Sequence, residues 1–184
     1  MCSHLAQIVY GSLLMVIMGL TASALFTNKW ATTEAVEIEN PGALWCNGEP
    51  NECKDYFNNL PQFQQTVLIA MILALVMEVV ALAYNAFTFC ACCCKKYLIH
   101  PLTGISVLVA ACLGVAVFVY VSNSMEQFEQ FKKIAESKGK DTSNLTIDAV
   151  SHGISMILAA IAFGLAIGNT VVAILAVFFA KHLI

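Results

Sequence analysis

The chain has 184 residues, of which 59% are hydrophobic and 11% charged, with a formal net charge of −3. An ordinary soluble domain is about a quarter charged, so this composition excludes one and points to lipid as the solvent. All nine basic residues are Lys, and the absent Arg fork and negative balance argue against a nucleic-acid partner.

Four apolar segments follow, at about 5–26, 67–89, 101–122 and 153–180. A hydrocarbon core of about 30 Å takes about 20 helical residues at 1.5 Å each, so all four can span it. Unpaired backbone is excluded from hydrocarbon, which predicts helices. No linker or repeat divides the chain, so the expected fold is one all-α membrane domain over 1–184, a bundle of four transmembrane helices.

In the first span, Ala22-Ser23-Ala24 imitates a signal-peptide cleavage site. No Lys precedes the apolar run, and the run is longer than a signal core, so it reads as an uncleaved span. The loop at 27–66 holds Cys46 and Cys53, with six residues between them that include Asn47-Gly48 and Pro50. That spacing permits two short antiparallel strands joined by a turn and bridged by a disulfide. Two thiols with no nearby His are too few for zinc, so no metal or other cofactor is expected. Trp30, four residues past the span, reads as an interface anchor, whereas Trp45 stands too far along for that role. Glu34, Glu37 and Glu39 form an acidic run whose ordinary reading is a solvated face.

The second span carries Glu78 near its midpoint. A central acid costs about 3 kcal/mol, and twelve Leu, Ile, Val and Phe residues return roughly 5 kcal/mol, so the segment still inserts. The acid must face protein. It reads first as a buried group bonded to a neighbouring helix, through Asn169 or Thr170, and second as a proton or ion site. Cys90, Cys92, Cys93 and Cys94 follow beside Lys95 and Lys96. With Cys2, they are S-acylation sites or plain reduced thiols.

The third span has small residues every fourth position at Ser106, Ala110 and Gly114; the fourth repeats the pattern at Ala160, Gly164 and Gly168. Such stripes suit close helix packing, first within the bundle and second against another molecule. Between these spans, the loop at 123–152 has Phe128, Phe131, Ile134 and Ala135 at helical spacing, predicting an extension of the third span. Asn144-Leu145-Thr146 is an N-glycosylation acceptor. His152 reads as an interface residue opening the fourth span.

The raw Lys count favours the opposite orientation, but the Cys46/Cys53 pair and the Asn144 acceptor both suit an oxidising outer side. Loops 27–66 and 123–152 are therefore placed outside and both termini in the cytoplasm, which expects a multi-pass plasma-membrane protein.

Trp30, then Gly42, Leu44 and Trp45, then Cys46 and Cys53, in the first outer loop of a four-span chain, resemble the W–GLW–C–C pattern of the claudin superfamily. That superfamily includes the peripheral myelin and epithelial membrane proteins and the gamma subunits of calcium channels and glutamate receptors. The topology is similar over the whole chain, while the cysteine spacing is more compact than is usual in claudins. The first loop is nearer in length to the myelin and epithelial branch. After Ala180 only four residues remain, shorter than the scaffold-binding tail of junctional claudins.

The resemblance implies a left-handed bundle carrying a small extracellular β-sheet, mostly from the first loop and pinned by the disulfide. It also implies a cation-attracting lining or charged partner contact at Glu34, Glu37 and Glu39. No catalytic motif occurs, so a non-enzymatic role is expected. The first reading is cell–cell contact or junction and membrane organisation through the outer loops, with the bilayer and other membrane proteins (self in cis or trans) as partners. The second is an auxiliary subunit of a channel or receptor, bound through the third and fourth spans. Transport built on Glu78 comes third.

Overall fold

The computed structural model describes residues 2–27, 30–33, 50–90, 95–123 and 150–182. In chain order these form α1 (Cys2–Phe26), β1 (Ala31–Thr33), α2 (Pro50–Asn59), α3 (Gln62–Cys90), α4 (Lys95–Ser122), β2 (Val150–His152) and α5 (Ile154–His182). Helices α1, α3, α4 and α5 each contain a stretch long and apolar enough to cross a membrane. Helix α4 begins six residues before Pro101 and carries it in the second turn, so Pro101 does not open the helix as the apolar run implied.

The long helices pack in a ring, α1 against α3, α3 against α4, α4 against α5 and α5 back against α1. Burial follows three-and-four spacing. On α1 the inward seam is Gln7, Tyr10, Leu14, Ile17, Thr21 and Ala24; on α3 it is Met71, Ala74, Glu78, Ala81, Asn85 and Thr88. Ridges at that spacing let two helices interlock at a shallow angle. The outward faces are the more apolar, with Ile8, Met15, Val79, Phe87, Phe118, Ile157 and Phe178 all exposed. Glu78, Asn85 and Asn169 are buried instead. Apolar groups outside and polar groups inside are what a hydrocarbon solvent selects.

Strands β1 and β2 pair antiparallel, with Ala31 opposite His152, Thr32 opposite Ser151 and Thr33 opposite Val150. Each three-residue strand comes from a different loop, so the ladder joins the loops directly. The larger sheet expected from the first loop falls on residues outside the described set. The expected strand through Cys53 is corrected: Cys53 lies on helix α2. Helical extension of the third span over 125–140 also falls outside the described residues.

Candidate functional site

Two constellations stand out, one at the bundle end that carries the ladder and one along the α1–α3 seam. At the ladder end, the Gly153 N–H donates to Trp30 O at 2.9 Å, continuing the ladder toward the bundle. Ser155 Oγ donates to Thr27 O, fixing the start of α5 to the end of α1. Trp30 is fully buried, with its ring 5.1 Å from Tyr120 at a 56° tilt. Tyr120 meets Phe63 edge-on at 6.4 Å. Tilted and edge-on rings at such distances place the positive edge of one over the negative face of the next, adding about 1 kcal/mol beyond the area they bury. Trp30 is therefore not an interface anchor. It is the centre of an aromatic cap that joins α1, α3 and α4 beneath the ladder.

Helix α2 docks on the same end. Gln65 Nε2, from the first turn of α3, donates to Phe57 O at 3.1 Å and to Leu60 O at 2.9 Å. These carbonyls close α2, where the last turn of a helix leaves acceptors without partners. Phe57 and Leu60 then pack on the cap beside Phe63 and Val67. Lys54 and Asp55 of α2 are exposed. Cys53 is a half-cystine; its mate lies outside the described residues.

Along the seam, Glu78 is fully buried on α3 and its Oε1 accepts from Thr21 Oγ1 of α1 at 2.9 Å. Its Oε2 has no hydrogen-bond partner among the described residues. Neither expected partner bonds it: Thr170 Oγ1 donates to Ala166 O within α5, and Asn169 Oδ1 has no partner among the described residues. The geometry explains the correction, because α5 packs on α1 and α4, diagonally across the ring from α3.

Two turns further along α3, Asn85 Nδ2 donates to Gln7 O at 3.5 Å and Gln7 Nε2 to Thr88 Oγ1 at 3.5 Å. Thr88 Oγ1 donates to Asn85 O at 2.6 Å, closing a small network. Gly11 leaves room for the Asn85 side chain there, since a Cβ on it would lie 2.7 Å from Asn85 Nδ2. Across the bundle, Tyr10 Oη and Ser106 Oγ share a hydrogen bond of 2.7 Å. Buried polar links of this kind align helices in hydrocarbon at about 0.6 kcal/mol each on average.

The two small-residue stripes separate. Ser106 is buried, Ala110 packs on the core, and Gly114 faces α5, where an added Cβ would lie 2.9 Å from the Phe163 ring. On α5, Ala160 is half-buried, but Gly164 and Gly168 point outward with nothing within 4 Å of an added Cβ. Gly164 and Gly168 thus do not serve packing within the bundle.

Several sequence-predicted positions lie outside the described residues: Gly42, Leu44, Trp45, Cys46, Glu34, Glu37, Glu39, Asn144, Cys92, Cys93 and Cys94. Cys2 and Cys90 fall in the terminal turns of α1 and α3. His152 belongs to β2. The residues that sequence reasoning missed are Thr21, Tyr10, Gln7, Gly11, Asn85, Thr88, Tyr120 and Gln65. A signal existed for some: Glu78, Asn85 and Thr88 share one face of α3 at seven- and three-residue steps, and Gln7, Tyr10 and Thr21 share one face of α1 at three- and eleven-residue steps.

A family model described as the PMP-22/EMP/MP20/Claudin family matches residues 1–173. No curated protein matches the chain at a significant level.

Proposed function

The chain belongs to the PMP-22/EMP/MP20/Claudin family, a multi-pass membrane protein on that ground and on its four apolar helices, and we propose that it acts without enzymatic chemistry, through its two outer loops, in cell–cell contact or membrane organisation. One observation carries the reading: β1 and β2 tie the two loops together directly above the Trp30–Tyr120 cap. Three paired residues alone are too few to be stable. Seated on a buried aromatic cap, the ladder becomes a fixed mount for both loops.

In this reading the ladder end faces outward at the plasma membrane and both termini are cytoplasmic. Cys46 and Cys53 form the disulfide that holds α2 to the preceding segment. Asn144 is then available to glycosylation, and Cys2, Cys90, Cys92, Cys93 and Cys94 lie where acyl transfer occurs. Glu34, Glu37 and Glu39 give the mount its negative face.

A mixed culture of expressing and non-expressing cells tests the role. The expected result is accumulation of tagged protein where two expressing cells touch, with little where an expressing cell meets a bare one. An even surface distribution, with a channel or receptor polypeptide co-purifying in mild detergent, would sink this reading in favour of an auxiliary subunit. That second reading is favoured by the outward Gly164 and Gly168 on α5, which leave room for a foreign helix.

A further inference from the structure

Among the described residues, Glu78 is the one buried Asp, Glu, Lys or His. It stands about 24 Å along α3 from Gln62 and about 15 Å from Thr88, deep within the span. Thr21 Oγ1 donates to its Oε1 at 2.9 Å, and Oε2 has no partner among the described residues. We propose that Glu78 is a proton-binding site, whose proton exchanges with solvent at the end of the bundle opposite the ladder. The site lies apart from the outer loops and does not depend on their role.

The surroundings select that ligand. A carboxylate buried in a membrane bundle stays ionised only beside a cation or under several donors. Helices α1 and α4 pack on α3. Among the described residues their buried titratable side chains are phenols: Tyr10 on α1, bonded to Ser106, and Tyr120 on α4, in the cap. The Cys112 thiol of α4 is half-buried, and none of the three is a cation. A hard metal ion takes about six oxygens or more. No group of three His, Cys, Asp or Glu occurs among the described residues to begin such a set. One donor and no cation leave the proton. With Oε1 accepting from Thr21, Oε2 is the oxygen that takes it.

The route follows from what lies on either side. Toward the ladder the seam is apolar, with Val67, Met71 and Ala74 on α3 and Ala24 and Leu25 on α1, all buried. Toward the other end the same faces carry Asn85 and Thr88 on α3 and Gln7 and Tyr10 on α1. Gln7 Oε1 and Asn85 Oδ1 are buried there with no partner among the described residues, so this stretch holds unused acceptors. Its interhelical bonds, from Asn85 Nδ2 to Gln7 O and from Gln7 Nε2 to Thr88 Oγ1, are both 3.5 Å long. Bonds at that length are weak and part easily. The proton therefore reaches Glu78 past Asn85 and not through the packed cap.

The test uses the full chain in nanodiscs at neutral pH, with its Glu side-chain carboxyls isotope-labelled, read by infrared spectroscopy. The carbonyl band of a protonated, labelled carboxyl should be present, should shift in heavy water, and should vanish in Glu78→Gln. In Asn85→Leu the band should remain while its shift in heavy water slows severalfold. Met71→Leu, on the cap side, should leave that rate unchanged. If Asn85→Leu fails to fold, Gln7→Leu serves in its place with the same slowing expected. A wild-type chain without the band, or a band that survives in Glu78→Gln, would overturn the proton-binding site. Exchange that is equally fast in Asn85→Leu, or slowed as much by Met71→Leu, would overturn the route.

Discussion

The two ends of the bundle are built on opposite principles. At the ladder end, Trp30, Phe63 and Tyr120 join Leu25, Val67 and Met156 in one apolar cluster, with the Ser155–Thr27 and Gly153–Trp30 bonds at its edge. Toward the other end, α1 and α3 meet through Thr21–Glu78 and the Gln7–Asn85–Thr88 network, with Gly11 leaving room for the Asn85 side chain. The apolar cap joins the helices beneath the ladder. The polar seam supplies register, because a one-turn slip of α1 would strand every bond along it. Stability and specificity are thus drawn from different parts of one bundle.

That division can be broken first at the cap. Trp30→Ala empties its centre and should destabilise the protein by about 3–5 kcal/mol, read as thermal or denaturant unfolding in detergent. A loss below about 1 kcal/mol would show that Trp30 is an interface anchor after all. Next comes the α4–α5 contact, where Gly114→Leu drives a side chain into the Phe163 ring and should cost about 1–3 kcal/mol by overpacking.

The seam sharpens the comparison with smaller effects. Thr21→Val removes the hydroxyl that Glu78 accepts from and should cost about 1–2 kcal/mol, whereas Glu78→Gln retains an acceptor for Thr21 and should stay within about 1 kcal/mol of the parent. A larger loss from Glu78→Gln than from Thr21→Val would mean that the carboxyl, and not the bond, is what the seam requires. The smallest effect is expected at Gly164→Leu, which projects into open space and should change bundle stability by less than about 0.5 kcal/mol. If it reduces co-purification of a channel at unchanged stability, the auxiliary-subunit reading gains.

The pairing of stripes shows how far the sequence could be read. Small residues at every fourth position announce a helix face in both α4 and α5, and both faces exist. Direction is not encoded in that pattern, because closely packed neighbours and an uncovered groove require the same small side chains. Gly114 turned inward and Gly164 outward. The four spans were legible because twenty apolar residues in a row have few other uses. The early start of α3 was not, since Gln62 to Gln65 are polar or flanked by polar residues. Phe63 and Gln64 are nevertheless buried.

Long-range partners were the hidden part. Trp30 beside a span end matches an anchor by every local criterion; only Tyr120, ninety residues away, reveals a cap. Glu78 could be placed against protein from its cost alone, yet its donor lies 57 residues upstream on a helix chosen by the ring order. Ring order is a property of the whole bundle. The family pattern at Gly42 to Cys53 was legible and agrees with the matched family, although the structure describes only Cys53 of the pair and places it on a helix.

The central claim is that the two loops are one mounted unit, and cross-linking tests it most directly. Because Trp30 O accepts from Gly153 N–H, the Ala31–His152 pair is the non-hydrogen-bonded one, where strands approach closest, with Cα atoms about 4.5 Å apart. Ala31→Cys with His152→Cys should therefore form a disulfide in membranes, detected by non-reducing peptide mapping. Ala31→Cys with Val150→Cys, two residues out of register, should not. Equal cross-linking by both pairs, or by neither, would contradict a fixed ladder and with it the mount.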